Sequence, residues 1–390
     1  MTLASRCVPI FVAAFAVLVM TPAACQTETV LKNFSNASDG GSPAWGLIAD
    51  SKGNLYGTTA SGGLGFGIVF ELSPNGSGGW TETVLDSFSG GNDGNSPSGP
   101  VMLDEGGNLY GTTQGGGKYG YGVVFELKLV RGKWEEKVLH NFRGGLDSQF
   151  PIAGVIMDKG GNLYGTTYNG FNPATVFEMT NSGRGWKKRV IYRTPTSGAG
   201  LTLDSVGNIF LASYWTVLKL SRNDNGSWTG TVIHTFTGYP NDGYWASSHP
   251  VFDRAGNLYG ATEAGGTSYG LVYKLIPHKD GTWTEKILHY FQGPDGSGPA
   301  GNIIVDSAGN IFGTTDWGGK NVWGTVFELT RAGNRGYEHK ILWDFAGIDG
   351  ANPEGQLLLD AAGNLYGTTS RGGDTFKDNY GFGTAFEVSP

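Results

Sequence analysis

Cysteine is almost absent from this chain: there are two, Cys7 and Cys25, and both fall within the first 25 residues. No disulfide framework is therefore available to the body of the protein, whose stability has to come from packing. Basic clusters are missing too. A net charge of −7 without a run of Lys or Arg excludes nucleic acid and an anionic membrane surface from the expected partners. Beyond residue 25 no apolar run is long enough to span a membrane, and no stretch of ten residues carries the 3.6-residue period of an amphipathic helix. The body has no cysteine nucleophile, no P-loop and no His-x-x-x-His pair, and its six His residues are scattered. No cofactor and no metal site are expected.

The first 25 residues differ from the rest. Arg6, an apolar run from Val8 to Met20 and the small residues Ala23-Ala24 before Cys25 make the pattern of a secretory signal. The expected location is secreted, periplasmic or in the cell envelope. Pro22-Ala23-Ala24-Cys25 also resembles a bacterial lipobox, without the aliphatic residue expected at Pro22. A lipid anchor at Cys25 is thus the alternative to free secretion.

What the chain has in abundance is glycine, 67 residues of it, placed regularly beside Trp, Tyr and Phe. The phrase Gly53-Asn54-Leu55-Tyr56-Gly57-Thr58-Thr59 returns with its Asn at 108, 162, 208, 257, 310 and 364, a period of about 50 residues. Each repeat carries four short strand signals separated by turn residues. In the first these are Leu47-Ile48, Leu55 to Thr59, Ile68 to Leu72 and Trp80 to Leu85. A four-stranded blade repeated seven times fits a closed ring. We therefore expect an all-β fold, a seven-bladed β-propeller over residues 26–390. The last repeat stops at Ala385-Phe386-Glu387-Val388 without a fourth strand, whereas Glu28 to Phe34 is a fourth strand without a third. The N-terminal strand should complete the seventh blade and remove its open edge.

Gly-Asn-Leu-Tyr-Gly-Thr-Thr, Gly-Gly and Gly-x-Val-Phe-Glu-Leu together resemble the GloVer tandem repeat of exported, choice-of-anchor bacterial proteins, over about residues 28–388. The resemblance implies an exported, propeller-like protein without an established activity. It also implies a C-terminal sorting domain in many members, which this sequence, ending at Pro390 after a strand signal, does not display. The Asp-x-x-Gly-Asn-Leu-Tyr turn is similar to that of NHL and SMP-30-type propellers, which include lyases and metal-dependent lactonases.

Asp50, Asp104, Asp158, Asp204, Asp253, Asp306 and Asp360 precede Gly-Asn in every repeat and read as turn formers. Asp39, Asp93, Asp147, Asp242, Asp295 and Asp349 recur in the loops from outer to inner strand and read the same way. His140, His234 and His289 share one outer-strand position and read as structural, while His249 stands alone in a channel-face loop. Trp80, Trp134, Trp186, Trp228 and Trp283 open the fourth strands and should cover a neighbouring blade. Five other tryptophans, Trp45, Trp215, Trp245, Trp317 and Trp323, fall in loops that emerge on one face. They are the candidate ligand platform, with Asp242 and His249 supplying polar contacts beside Trp215 and Trp245. The fourth repeat departs most, with Leu211-Ala212-Ser213 for Gly-Thr-Thr and a loop reduced to Tyr214-Trp215.

These features point to an exported propeller that binds a glycan, peptide or protein partner on the loop face around the channel. Two other functions stay open. One is an extracellular carbohydrate-active lyase or hydrolase with its site at the channel mouth; the other is a structural envelope protein.

Overall fold

The tight turn Asp50-Ser51-Lys52-Gly53-Asn54 is the local unit from which each blade starts. The Asp50 carboxylate accepts the Lys52 and Asn54 backbone N–H groups at 2.8 and 3.0 Å, then the Asn54 side-chain amide at 2.8 Å. Gly53 supplies the left-handed residue, φ 85°. The same set recurs at Asp104, Asp158, Asp204, Asp253, Asp306 and Asp360. These carboxylates build turns, as their spacing implied.

Four antiparallel strands follow from each turn. The computed structural model describes residues 26–168, 174–194, 198–246, 248–266, 268–333, 336–376 and 380–389; the expected secretory signal and Cys25 lie outside them. Blade 1 comprises Ile48–Ala49, Leu55–Thr58, Ile68–Pro74 and Trp80–Ser87, from channel to rim. Blades 2 to 6 repeat it with inner strands starting at Met102, Ile156, Gly198, Val251 and Ile304. Blade 2 gains a short extra strand, Asn95–Pro97, on its second strand. Blade 7 takes Leu358–Leu359, Leu365–Thr369 and Thr384–Ser389 from the C-terminus and Thr27–Asn33 from the N-terminus, paired Thr27 to Ser389 and Asn33 to Thr384. The ring is therefore closed by hydrogen bonds between the two ends of the chain.

Blades pack through two aromatic sets. The Trp that opens an outer strand meets the second-strand Tyr or Phe of the preceding blade edge-on, with ring centroids 6.0 to 6.2 Å apart at Trp80–Tyr366, Trp186–Tyr110, Trp228–Tyr164 and Trp283–Phe210. A Phe just past every outer strand except that of blade 3 then packs at a steep angle on the next blade, tilted or edge-on to a third-strand aromatic: Phe34 on Phe70 at 5.1 Å, Phe88 on Phe125 at 5.2 Å. The ring of Phe70 fills the space above Gly57, where a Cβ would come within 2.5 Å of it. Blade 4 breaks this rule in a compensated way. Leu211 replaces the glycine, and its register partner Leu218 replaces the aromatic, so two medium side chains occupy the volume of one large one.

Candidate functional site

The first Thr of each Gly-Thr-Thr lies deep in the ring and ties one blade to the next at the channel. Thr58 donates to the Gly99 carbonyl at 3.0 Å, and Thr112 to the Ala153 carbonyl at 2.7 Å. In blade 4, which lacks that Thr, Thr202 of the inner strand donates to the Pro250 carbonyl instead. These bonds fix the backbone just before each inner strand. The residue four positions before the turn Asp therefore faces the channel in a defined ring: Gly46, Pro100, Gly154, Gly200, His249, Asn302 and Gln356.

The ring is two-sided. Blades 1 to 4 contribute glycine and proline, while blades 5 to 7 contribute an imidazole and two amides. The polar side is internally bonded: the His249 backbone N–H donates to Asn302 Oδ1 at 2.5 Å, and Asn302 Nδ2 donates to Gln356 Oε1 at 3.1 Å. The His249 ring lies over Gly200, where a Cβ would fall 1.5 Å from Nε2. No residue among those described donates to or accepts from that ring. Above this ring opens a cavity of about 410 Å³, bordered by Trp45, Ile152, Tyr214 and Trp245 and by Glu263 and Glu354. Below it a second cavity, about 330 Å³, is walled by Ile48, Val101, Met102, Val155 and Ile156. Pro100, His249 and Gln356 border both and form the neck.

Burial decides the charge states. The His249 imidazole is pushed down to about 4 because the channel wall strips its solvent, so it is neutral near pH 7. Glu354 borders the cavity as an exposed residue; partial desolvation of its carboxyl by the atoms packed around it, with the Asp316 charge nearby, pushes it up to about 7. A Ser370 hydroxyl donating at 2.9 Å and the Arg371 charge offset part of that shift. Asp316 is itself raised by burial, and its Oδ1 has no partner among the described residues. Glu263 adds a further carboxylate on the same side and acts on Glu354. A neutral base and a carboxyl that changes charge near neutrality thus border one cavity.

The seven residues singled out by sequence divide. Trp45, Trp245 and His249 line the cavity. Trp45 is anchored by its Nε1, which donates to the Pro97 carbonyl at 2.9 Å. Trp215 lies flat on Tyr244, centroids 5.3 Å apart and planes 15° apart, on the upper surface outside the cavity wall. Trp317 and Trp323 pair with each other over blade 6, and Trp323 also meets Phe376 edge-on at 5.2 Å. Asp242 is 7% exposed and turned into its own loop, its oxygens taken by the Thr237 N–H and hydroxyl and by the Gly243 N–H. Asn302, Gln356, Glu263 and Glu354 were not singled out. The signal of Asn302 and Gln356 was readable as a break in the repeat, since one channel position changes from Gly or Pro to His, Asn and Gln across three successive blades.

The sequence profile of the Gloeobacter/Verrucomicrobia repeat matches residues 16–208 and 212–390. The chain belongs to that family. No curated protein matches the sequence significantly. Among solved structures the fold is similar to a streptogramin B lyase, with 12% identity over 93% of this chain and 97% of that one and a TM-score of 0.60. It is also similar to a Staphylococcus aureus virginiamycin B lyase, a histidine-to-alanine variant described as catalytically inactive and bound to quinupristin, at 15% identity, 94% and 99% coverage and a TM-score of 0.58. A putative 6-phosphogluconolactonase from Bacteroides uniformis is similar at 14% identity, 88% and 98% coverage and a TM-score of 0.52. At these identities the family's propeller fold is what is shared.

Proposed function

We propose that the protein is a binding propeller whose site is the channel mouth, taking a neutral, polyhydroxylated ligand of the carbohydrate class. The observation that carries this reading is the two-sided ring. Trp45, Trp245 and Ile152 offer the apolar face of a sugar its contact surface. Beside them stand the Asn302 and Gln356 amides, linked to each other and to the His249 backbone N–H, together with the His249 imidazole and the Glu354 carboxyl. A glycan array followed by calorimetry tests it. Trp245→Ala should weaken binding by about 1 to 3 kcal/mol and Gln356→Ala by about 0.5 to 1.5 kcal/mol. A ligand whose affinity neither variant changes would refute the channel-mouth reading.

A second reading follows from the charge states. A neutral His249 and a Glu354 carboxyl near 7 are the groups a lyase or hydrolase needs as base and acid. The solved lyases of similar fold make streptogramin B compounds a sensible addition to an oligosaccharide panel. Turnover should be lost in Glu354→Gln and should fall as the pH rises through about 7, where Glu354 gives up its proton. Binding without turnover by the unmodified protein would leave the binding reading and remove the catalytic one.

A further inference from the structure

The junctions between blades repeat a three-residue device at the outer rim, away from the channel. It uses a residue near the end of one outer strand, the loop Asp that follows, and a residue near the start of the next outer strand. Between blades 7 and 1 an ammonium group fills its centre: Lys32 Nζ is 2.9 Å from both Asp39 and Glu82. Between blades 2 and 3 Lys188 Nζ is 3.0 Å from Asp147, with His140 on the other carboxylate oxygen at 3.0 Å. The loop Asp is thus a turn former with one oxygen kept for a cation.

Between blades 5 and 6 both strand positions are histidine. His289 Nε2 is 3.0 Å from Asp295 Oδ2, while Asp295 Oδ1 accepts the Gln292 N–H at 2.6 Å. The rings of His289 and His339 lie parallel, 4.5 Å apart and 10° from coplanar directions. His339 Nε2 is buried without a hydrogen-bond partner among the described residues. One ligand atom from each residue lies within 4.8 Å of the others. Burial lowers both imidazoles, and the neighbouring His289 adds to the lowering of His339, which falls to about 4.

We propose that His289, Asp295 and His339 bind a divalent transition-metal ion of the zinc class, which takes at this junction the place that lysine ammonium holds at others. Two imidazoles with one carboxylate form a borderline-soft donor set suited to such ions and poorly suited to calcium or magnesium. Ligand atoms on a common zinc ion stand roughly 3.3 Å apart, from bonds of about 2.0 to 2.2 Å. The ligand atoms start within 4.8 Å of one another, and because an imidazole binds a metal in its own ring plane, binding turns the two parallel rings out of their stack toward the ion. The ion ties the outer strand of blade 5 and the loop after it to the outer strand of blade 6. Sequence alone expected no metal because the two His residues are 50 positions apart and belong to different repeats. The neighbouring junction of His234, Asp242 and Glu285 has the same layout. There both Asp242 oxygens are already engaged within the loop, which makes it an internal control.

The test is a calorimetric titration of the purified, EDTA-stripped protein with Zn2+, followed by Co2+ absorption spectroscopy. The expected result is one saturable equivalent, a Zn2+-dependent rise in melting temperature, and a visible Co2+ band. His339→Gln and Asp295→Asn should each lower Zn2+ affinity by at least roughly 10- to 100-fold, and His234→Gln should not. Circular dichroism of the metal-free variants checks that they fold; if one does not, the other still decides. No saturable binding, binding retained in both variants, or binding lost only in His234→Gln would each overturn the proposal.

Discussion

Gly200 has no room for a side chain, since the space its Cβ would take is filled by the His249 ring at 1.5 Å. Gly200→Ala should therefore displace His249, cost about 1 to 3 kcal/mol of stability by overpacking, and weaken any channel ligand; urea unfolding and calorimetry read the two effects separately. Asn302, 9% exposed, both accepts from the His249 backbone and donates to Gln356. Asn302→Ala leaves a buried N–H and an amide oxygen unpaired and should cost about 1 to 3 kcal/mol. The titratable residues pull in opposite directions with pH. Glu354, raised from 4.5 to about 7, holds a proton in the folded state that the unfolded chain has released, so its contribution is complete below 4.5 and is lost as pH rises through 7. Glu28 and Glu136, raised to about 8, act in the same sense. His249, lowered from 6.5 to about 4, contributes fully above 6.5 and loses its contribution as pH falls toward 4. Melting temperature should thus peak at mildly acidic pH, with Glu354→Gln making the alkaline limb shallower and His249→Gln the acid limb. A monotonic profile in the unmodified protein would contradict these assignments.

At the level of the blade, the fourth repeat shows how packing and function separate. Its Leu211 and Leu218 face each other in register where other blades pair Gly with Phe or Tyr, and both are buried. Leu211→Gly alone opens a cavity and should cost about 2 to 5 kcal/mol. Adding Leu218→Phe restores the arrangement of the other blades and should recover most of the loss, a coupling that a double-mutant cycle measures. Additive costs would show that the swap is accidental. The short hairpin turn of the same blade, Tyr214-Trp215, has a different effect: it places Tyr214 on the cavity wall beside Trp245, ring centroids 6.3 Å apart.

For the molecule as a whole, closure by the N-terminal strand is the critical feature. Phe34 is 1% exposed and packs at a tilt on Phe70 of blade 1, while Thr27–Asn33 covers the edge of Thr384–Ser389. Deleting residues 27–34 removes about 1.5 to 3 kcal/mol for the Phe34 side chain alone and leaves an open strand edge. The truncated protein should melt well below the intact one and associate at lower concentration, as calorimetry and light scattering would show. An unchanged melting temperature would mean that closure does not stabilise the ring.

The repeat made the ring legible before any coordinates: period, turn Asp, strand count and the strand left over at each end are all local patterns, and local patterns survive in one dimension. The roles of Trp80 and its equivalents followed too, because a residue present in most blades has to serve the blade. The channel site was legible only in part. Trp45, Trp245 and His249 stood out as departures, but the polar half-ring needed the blades placed side by side, since His249, Asn302 and Gln356 are about 50 residues apart and meet only when the ring closes. The charge states of His249 and Glu354 likewise depend on desolvation by walls that distant repeats supply, and the stacked His289 and His339 on the contact of two outer strands. The sequence determined the blade and how many there are; the tertiary structure decided which side chains share a cavity, because only ring closure brings the same position of successive repeats within hydrogen-bonding distance.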